Sequence, residues 1–140
     1  MERELIPVAR ELGLGVVPWS PLASGVLTGK YSRADLEHEA EGSPEGNRKN
    51  VAAANGSLTE RGLAIADVVK EVAADIGRTP AQVALAWTLR KPGVTAPIIG
   101  ARTAAQLEDN LGALDVEFDT AQLARLEQAS AVDLGFPHES

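Results

Sequence analysis

The sequence predicts an α/β fold in which short buried strands feed amphipathic helices, with too few strands to close a sheet. Three observations carry this reading. Two short apolar runs bounded by glycine and proline, Val16-Val17 and Pro97-Ile98-Ile99, have the look of strands buried on both faces. Longer stretches around them repeat apolar residues at helical spacing. The order is helix end, strand, long loop, two helices, strand, two helices, which is the alternation of parallel βα units. Two strands cannot make a covered parallel sheet, so the pattern reads as the end of a larger α/β domain.

The chain has 140 residues, 44% of them hydrophobic, enough for one core and too few for two ordinary domains. A net charge of −7 argues against nucleic-acid and anionic-membrane partners. Cysteine is absent, which excludes disulfides, zinc–thiolate sites and cysteine nucleophiles. There is no apolar run of the roughly 18 residues that a membrane span needs. Met1-Glu2-Arg3-Glu4 is the wrong start for a secretory signal, so a cytoplasmic location is expected.

In chain order, Leu5, Ile6, Val8, Ala9 and Leu12 form an amphipathic pattern that Gly13 stops. No cap precedes it, so the chain is expected to start inside an element. Val16 and Val17 make the first strand, and Pro18 and Pro21 prevent its ladder from continuing. Trp19 and Ser20 then fall at the strand's C-terminal end, where α/β architectures place ligand groups. The residues alone leave two readings of Trp19 and Lys30 open. Trp19 and Ser20 could be a flat aromatic and a hydroxyl facing a ring or phosphate, or Trp19 could be core and Lys30 a solvated charge.

Residues 31–57 are polar, with acids at Asp35, Glu37, Glu39, Glu41 and Glu45, and are expected to form a long surface loop with at most a turn of helix. His38 has no second ligand at metal spacing, and Tyr31 has no lysine or histidine paired with it by spacing. Both are read as structural. Thr59 caps a helix to about Ile76, with Leu63, Ala66, Val69, Val72 and Ala73 on its inner stripe and Gly77 as its stop. Thr79-Pro80-Ala81-Gln82 opens the next by a capping box with proline at the first helical position. That helix turns Val83, Ala86 and Trp87 inward and ends near Arg90. Asp119-Thr120-Ala121-Gln122 caps the last, with Leu123, Leu126 and Ala129 inward. The tail from Asp133 is expected to be disordered.

The stretch with the strongest chemical content is Pro97 to Asn110. A buried strand passes through Gly100, which leaves room for close approach. Thr103 and Gln106 then have capping-box spacing, so a helix should run from Ala104 to about Ala113. A strand–glycine–helix junction presents free N–H groups and a positive dipole end, a ready anion site. Arg102 stands at its mouth with a planar fork suited to phosphate. Gln106, Asp109 and Asn110 share one face of the helix.

Two motifs, Trp19-Ser20-Pro21-Leu22-Ala23-Ser24-Gly25 with Gly29-Lys30-Tyr31, and Pro97-Ile98-Ile99-Gly100-Ala101-Arg102-Thr103 with Gln106-Leu107-Glu108-Asp109-Asn110, resemble the C-terminal part of aldo-keto reductases. The similar branch includes bacterial reductases and potassium-channel beta subunits. Thr79 to Trp87 matches the helix between the two motifs, and residues 1–140 are covered in the family's order. The resemblance implies the C-terminal part of a (β/α)8 TIM barrel, strands seven and eight with their helices, and thus an incomplete barrel. It also implies NADP(H) as cofactor. Trp19, Ser20, Pro21, Leu22, Ala23 and Ser24 would line the nicotinamide and pyrophosphate, and Lys30 would reach a phosphate. Gly100, Arg102, Gln106, Asp109 and Asn110 would hold the adenosine 2′-phosphate, ribose and adenine, with Arg102 selecting NADP(H). At position 109 the family more often carries glutamate.

Family members reduce aldehydes and ketones by hydride transfer, with a tyrosine acid supported by lysine, aspartate and histidine. No position here matches that set, and Tyr31, Lys30, His38 and His138 are not its equivalents. The expectation is therefore a cofactor-binding portion that is inactive alone, taking a carbonyl substrate only when an N-terminal half completes it. A non-catalytic nucleotide-binding module is one alternative. A remnant that forms homo-oligomers through exposed sheet edges is another.

Overall fold

The computed structural model describes residues 3–37 and 48–132. Seven α-helices lie in this part: α1 (Leu5–Glu11), α2 (Ala34–Glu37), α3 (Arg48–Ala54), α4 (Glu60–Ile76), α5 (Pro80–Arg90), α6 (Ala104–Leu111) and α7 (Thr120–Ser130). Two 3₁₀ turns, Ala23–Thr28 and Gly112–Asp115, join them.

The long central helix α4 begins where Thr59 Oγ1 accepts from the Gly62 amide at 2.9 Å. It ends at Gly77, whose φ of 65° is the left-handed turn that lets the last carbonyls be capped. Its inner stripe is as expected: Leu63, Ala66, Val69, Val72 and Ala73 are all buried. α5 starts with the full box, Thr79 Oγ1 accepting from the Gln82 amide and Gln82 Oε1 from the Thr79 amide. α7 repeats the device with Asp119 and Gln122 and buries Leu126.

The core follows these stripes. Val69, Val72 and Ala73 of α4 meet Val83 and Ala84 of α5 and Leu126 of α7, with Trp87 half-buried against them. On one flank, Val26, Ala52 and Leu58 pack on Leu63 and Ala66 of α4. On the other, Leu85 and Ala86 of α5 meet Ala113 and Val116. Leu22 touches both the central cluster and this last one, which ties the loop after the first apolar run to the core.

Three expectations are corrected. First, the two apolar runs lie side by side in parallel register but do not form ladders among the described residues. Val16 bridges Val94 and Trp19 bridges Ile98, each as an isolated pair. The Thr95 and Ile98 amides donate to the Val16 and Pro18 carbonyls, both at 2.8 Å. Pro18 and Pro97 have no N–H to extend the pairing. The strands expected as the seventh and eighth of a barrel are thus present only as a paired backbone.

Second, the described parts of the 31–57 segment, residues 31–37 and 48–57, hold more helix than the single turn expected. They contain α2 and α3, and α3 buries Ala52 completely against Val26. Third, the first helix exists, but Leu5, Val8 and Leu12 are 63%, 52% and 66% exposed, and only Ala9 is buried. His38, the Arg48 side chain and the tail from Asp133 lie outside the described residues.

Candidate functional site

The two bridged segments open at their C-terminal ends into a cleft of about 930 Å³. One wall is the loop from Trp19 to Lys30, and the other is Ile98 through Asn110. Thr79, Pro80 and Ala81 at the start of α5 form the base between them. The cleft gathers Trp19, Ser20, Pro21, Leu22, Ser24, Lys30, Gly100, Arg102, Gln106, Asp109 and Asn110. Of the residues expected to bind the cofactor, Ala23 alone is absent from its lining. Its half-buried side chain packs with Val26 and Leu63 instead.

Trp19 is 78% exposed, which removes the core reading of this residue. The backbone that follows is unusual. Ser20, Ala23 and Ser24 have φ of 56°, 50° and 55°, a left-handed conformation that side chains disfavour. Contacts hold it there. Ser24 is buried and its Oγ accepts from Asn55 Nδ2 at 2.8 Å. Lys30 folds its stem over Gly25, whose φ is 95°, and its ammonium stands 4.9 Å from the Tyr31 ring centroid. Lys30 has no carboxylate partner among the described residues.

On the opposite wall, Thr103 caps α6 by accepting from the Gln106 amide at 3.2 Å. The reciprocal half of the expected box is shifted by one residue: Gln106 Oε1 accepts from the Arg102 amide at 2.8 Å. Gln106 therefore fixes the backbone that carries Arg102. The Arg102 guanidinium is exposed and, like Lys30, has no acidic partner among the described residues, whereas Arg33, Lys70, Lys91 and Arg125 all do. The Ala104 and Ala105 amides precede the first intrahelical bonds and form the positive end of the helix dipole. A Cβ built on Gly100 would meet no atom within 4 Å, so this wall of the cleft is bare backbone. Two unpaired cations, uncapped amides, a glycine face and an exposed indole suit a ligand with phosphates and flat rings.

Asp109 lines the cleft and is also tied to α5. Its Oδ2 accepts from Thr79 Oγ1 at 3.2 Å, and its carbonyl accepts from Gln82 Nε2 at 2.8 Å. The sequence reading missed Asn55, which holds Ser24, and the start of α5, which lines the cleft, because each meets the site through a contact distant in sequence.

Tyr31 is half-buried beside Val26, Ala52 and Leu58, and its hydroxyl has no hydrogen-bond partner. The lysine beside it sits over the ring rather than at the hydroxyl, so the pair is not arranged as an acid and its support. Groups of three or more acids or histidines suited to a metal are absent among the described residues, and no helix there is long and apolar enough to cross a membrane.

Residues 1–131 match the model of the Aldo/keto reductase family. The chain belongs to that family. It is 40% identical over 116 residues to a probable voltage-gated potassium channel subunit beta from Oryza sativa subsp. japonica, covering 83% of this chain and 34% of that protein. It is 41% identical over 125 residues to the oxidoreductase YrpG of Bacillus subtilis (strain 168), covering 89% and 35%. Against L-glyceraldehyde 3-phosphate reductase of Escherichia coli (strain K12), identity is 36% over 125 residues, covering 89% and 36%. The chain thus spans about a third of the length of these relatives. The family implies a (β/α)8 barrel, of which the described residues hold mainly helices and one pair of parallel bridges. Nicotinamide dinucleotides are the family's general cofactors, and the donor set of the cleft fits such a group.

Proposed function

We propose that this chain is the C-terminal, NADP(H)-binding portion of an aldo-keto reductase that reduces aldehydes or ketones. The observation that carries the reading is the pairing of Lys30 and Arg102, two cations without acidic partners on opposite walls of one cleft. In a chain of net charge −7, unpaired cations that line the same cleft favour a polyanion. Trp19 to Ser24 offer the nicotinamide and pyrophosphate a flat face and hydroxyls. Arg102, at the mouth of α6, offers the 2′-phosphate a fixed charge, and Gln106 and Asn110 face the ribose and adenine. The dinucleotide supplies hydride when bound. This chain's residues bind and orient it, and the tyrosine, lysine, aspartate and histidine of the family's catalytic set have no equivalents here. Carbonyl reduction therefore requires groups beyond those named, and the chain by itself is expected to be inactive.

The test is a titration with NADPH followed through Trp19 fluorescence, with Arg102→Ala alongside. Saturable quenching is expected, weakened in the variant by about tenfold, the scale of one lost charge-assisted contact. No saturation up to about 1 mM, a free energy near −4 kcal/mol, would sink the proposal. A second reading, self-association, has its own support in the exposed Leu5, Val8 and Leu12 on α1 and the two single bridges.

A further inference from the structure

The helix that carries three of the candidate ligand groups, α6, has little apolar packing to anchor it. α6 bears Gln106, Asp109 and Asn110 and follows directly on Arg102, yet none of its residues is buried. Its apolar side chains, Leu107 and Leu111, are exposed. Burial of a leucine contributes about 1.5–3 kcal/mol, and α6 has little of this to hold it. Its attachment to the body is polar. Gln82, a buried residue of α5, donates from Nε2 to the Asp109 carbonyl, one of the last carbonyls of α6. Thr79, the cap of α5, donates to the Asp109 carboxylate while accepting from the Gln82 amide. Gln82 Oε1 is held in turn by the Thr79 amide.

The room for this arrangement comes from Gly112, at the end of α6. A Cβ there would lie 2.3 Å from Gln82 Nε2. Its φ is −60°, which any residue adopts, so a side chain at this position would displace the Gln82 amide without straining the backbone.

We infer that Gln82 and Thr79 are positioning residues of the dinucleotide site, fixing α6 on α5 through Asp109 and thereby setting where Arg102 stands for the 2′-phosphate. This rests on the reading of the cleft as an NADP(H) site. Asp109 then serves as the strut between the two helices. Its short side chain suits that span, since Thr79 Oγ1 is already at 3.2 Å.

The test uses the full chain with Gln82→Met, which keeps the bulk and removes both amide bonds, and with Gly112→Ala, which displaces the amide while leaving Gln82 in place. Two readouts are taken on each: amide hydrogen exchange, and affinity for 2′,5′-ADP with and without Arg102→Ala. Both variants are expected to speed exchange in α6 by about tenfold while α4 keeps its protection, because each loses the Gln82–Asp109 bond, worth roughly 1 kcal/mol. Both should also weaken 2′,5′-ADP. Arg102→Ala should then cost less than it does in the native background, the sign of coupling between residues that do not touch. Unchanged exchange in α6 would overturn the brace. An Arg102→Ala effect equal in all backgrounds would overturn the positioning role. A native chain that fails to bind 2′,5′-ADP, with α6 nonetheless loosened in the variants, would keep the brace and overturn the dinucleotide reading, and with it the role in binding. Exchange needs no ligand, so the two failures stay separable.

Discussion

At Gly25 two constraints coincide: a φ of 95°, and the Lys30 Cε only 2.6 Å from where a Cβ would sit. Gly25→Ala therefore meets a left-handed backbone, at a cost of about 1–2 kcal/mol, and also pushes the Lys30 stem aside. Gly13, with φ of 66° and nothing near its Cβ position, isolates the first effect. Both alanine variants should lower the urea midpoint, and Gly25→Ala alone should weaken NADPH. Equal NADPH affinity in the two would show that the Lys30 placement is irrelevant to binding. Asn55→Ala removes the donor to the buried Ser24 hydroxyl, with a loss of about 1 kcal/mol or more where a buried polar group is left unpaired. The sequence marks Lys30 and Arg102 because charge and position relative to a strand end are local properties. It does not mark Asn55, Thr79 or Gln82 as site residues, because what they do depends on partners 27 to 31 residues away.

Among the elements, the helix boundaries are the most legible. Thr59, Thr79, Thr103 and Asp119 each cap a helix through a side-chain oxygen, and such signals need only four consecutive residues. Legibility fails where the cause is non-local. α3 forms around Ala52, whose burial depends on Val26 and Leu63, and the alanine run from Ala52 to Ala54 is the one local signal for it. The strands fail in the other direction: their apolar runs are visible, but a ladder needs partners on both sides. The segment before α3 also carries a charge device. The Ser32 amide, and then Lys49 at 3.0 Å, hold the Asp35 carboxyl below its ordinary value of 3.8. A carboxyl lowered in the fold stabilises it at pH values above that ordinary value, and the contribution fades as pH falls through the folded value. Lys70, and then Arg33, do the same for Asp67, which links the start of α2 to α4. Acidification below about pH 4 should therefore release residues 31–37 from α3 and α4 before the core melts. Exchange or backbone NMR across pH 3 to 6 would check this against Asp35→Asn, which should show the released state at neutral pH. Loss of α4 protection at the same pH as residues 31–37 would count against it.

At the scale of the whole molecule, two opposing terms act on the surface. The core formed by α4, α5 and α7 is well covered, while Leu5, Val8, Leu12, Leu14 and Val17 leave an apolar stretch more than half exposed. Leu5 and Val8 are spaced i and i+3 on one face of α1, and Leu12 follows at the helix's C-cap. Apolar area of this kind drives association, at about 25 cal/mol per Å² removed from water. The net charge of −7 opposes it, because each copy repels the next. Salt separates the two, since the Debye length falls from about 30 Å at 0.01 M to about 10 Å at 0.1 M while burial of apolar surface is little weakened. Light scattering across that range should therefore show mass per particle rising with salt, and NADPH should leave the trend intact because the cleft proposed for it lies at Trp19 to Asn110. Val8→Glu with Leu12→Lys should abolish the rise without loss of helicity, as neither side chain is buried. A chain that stays monomeric at every salt concentration would mean that this face is too small to associate, and the self-association reading would fall while the cofactor reading stood unaffected.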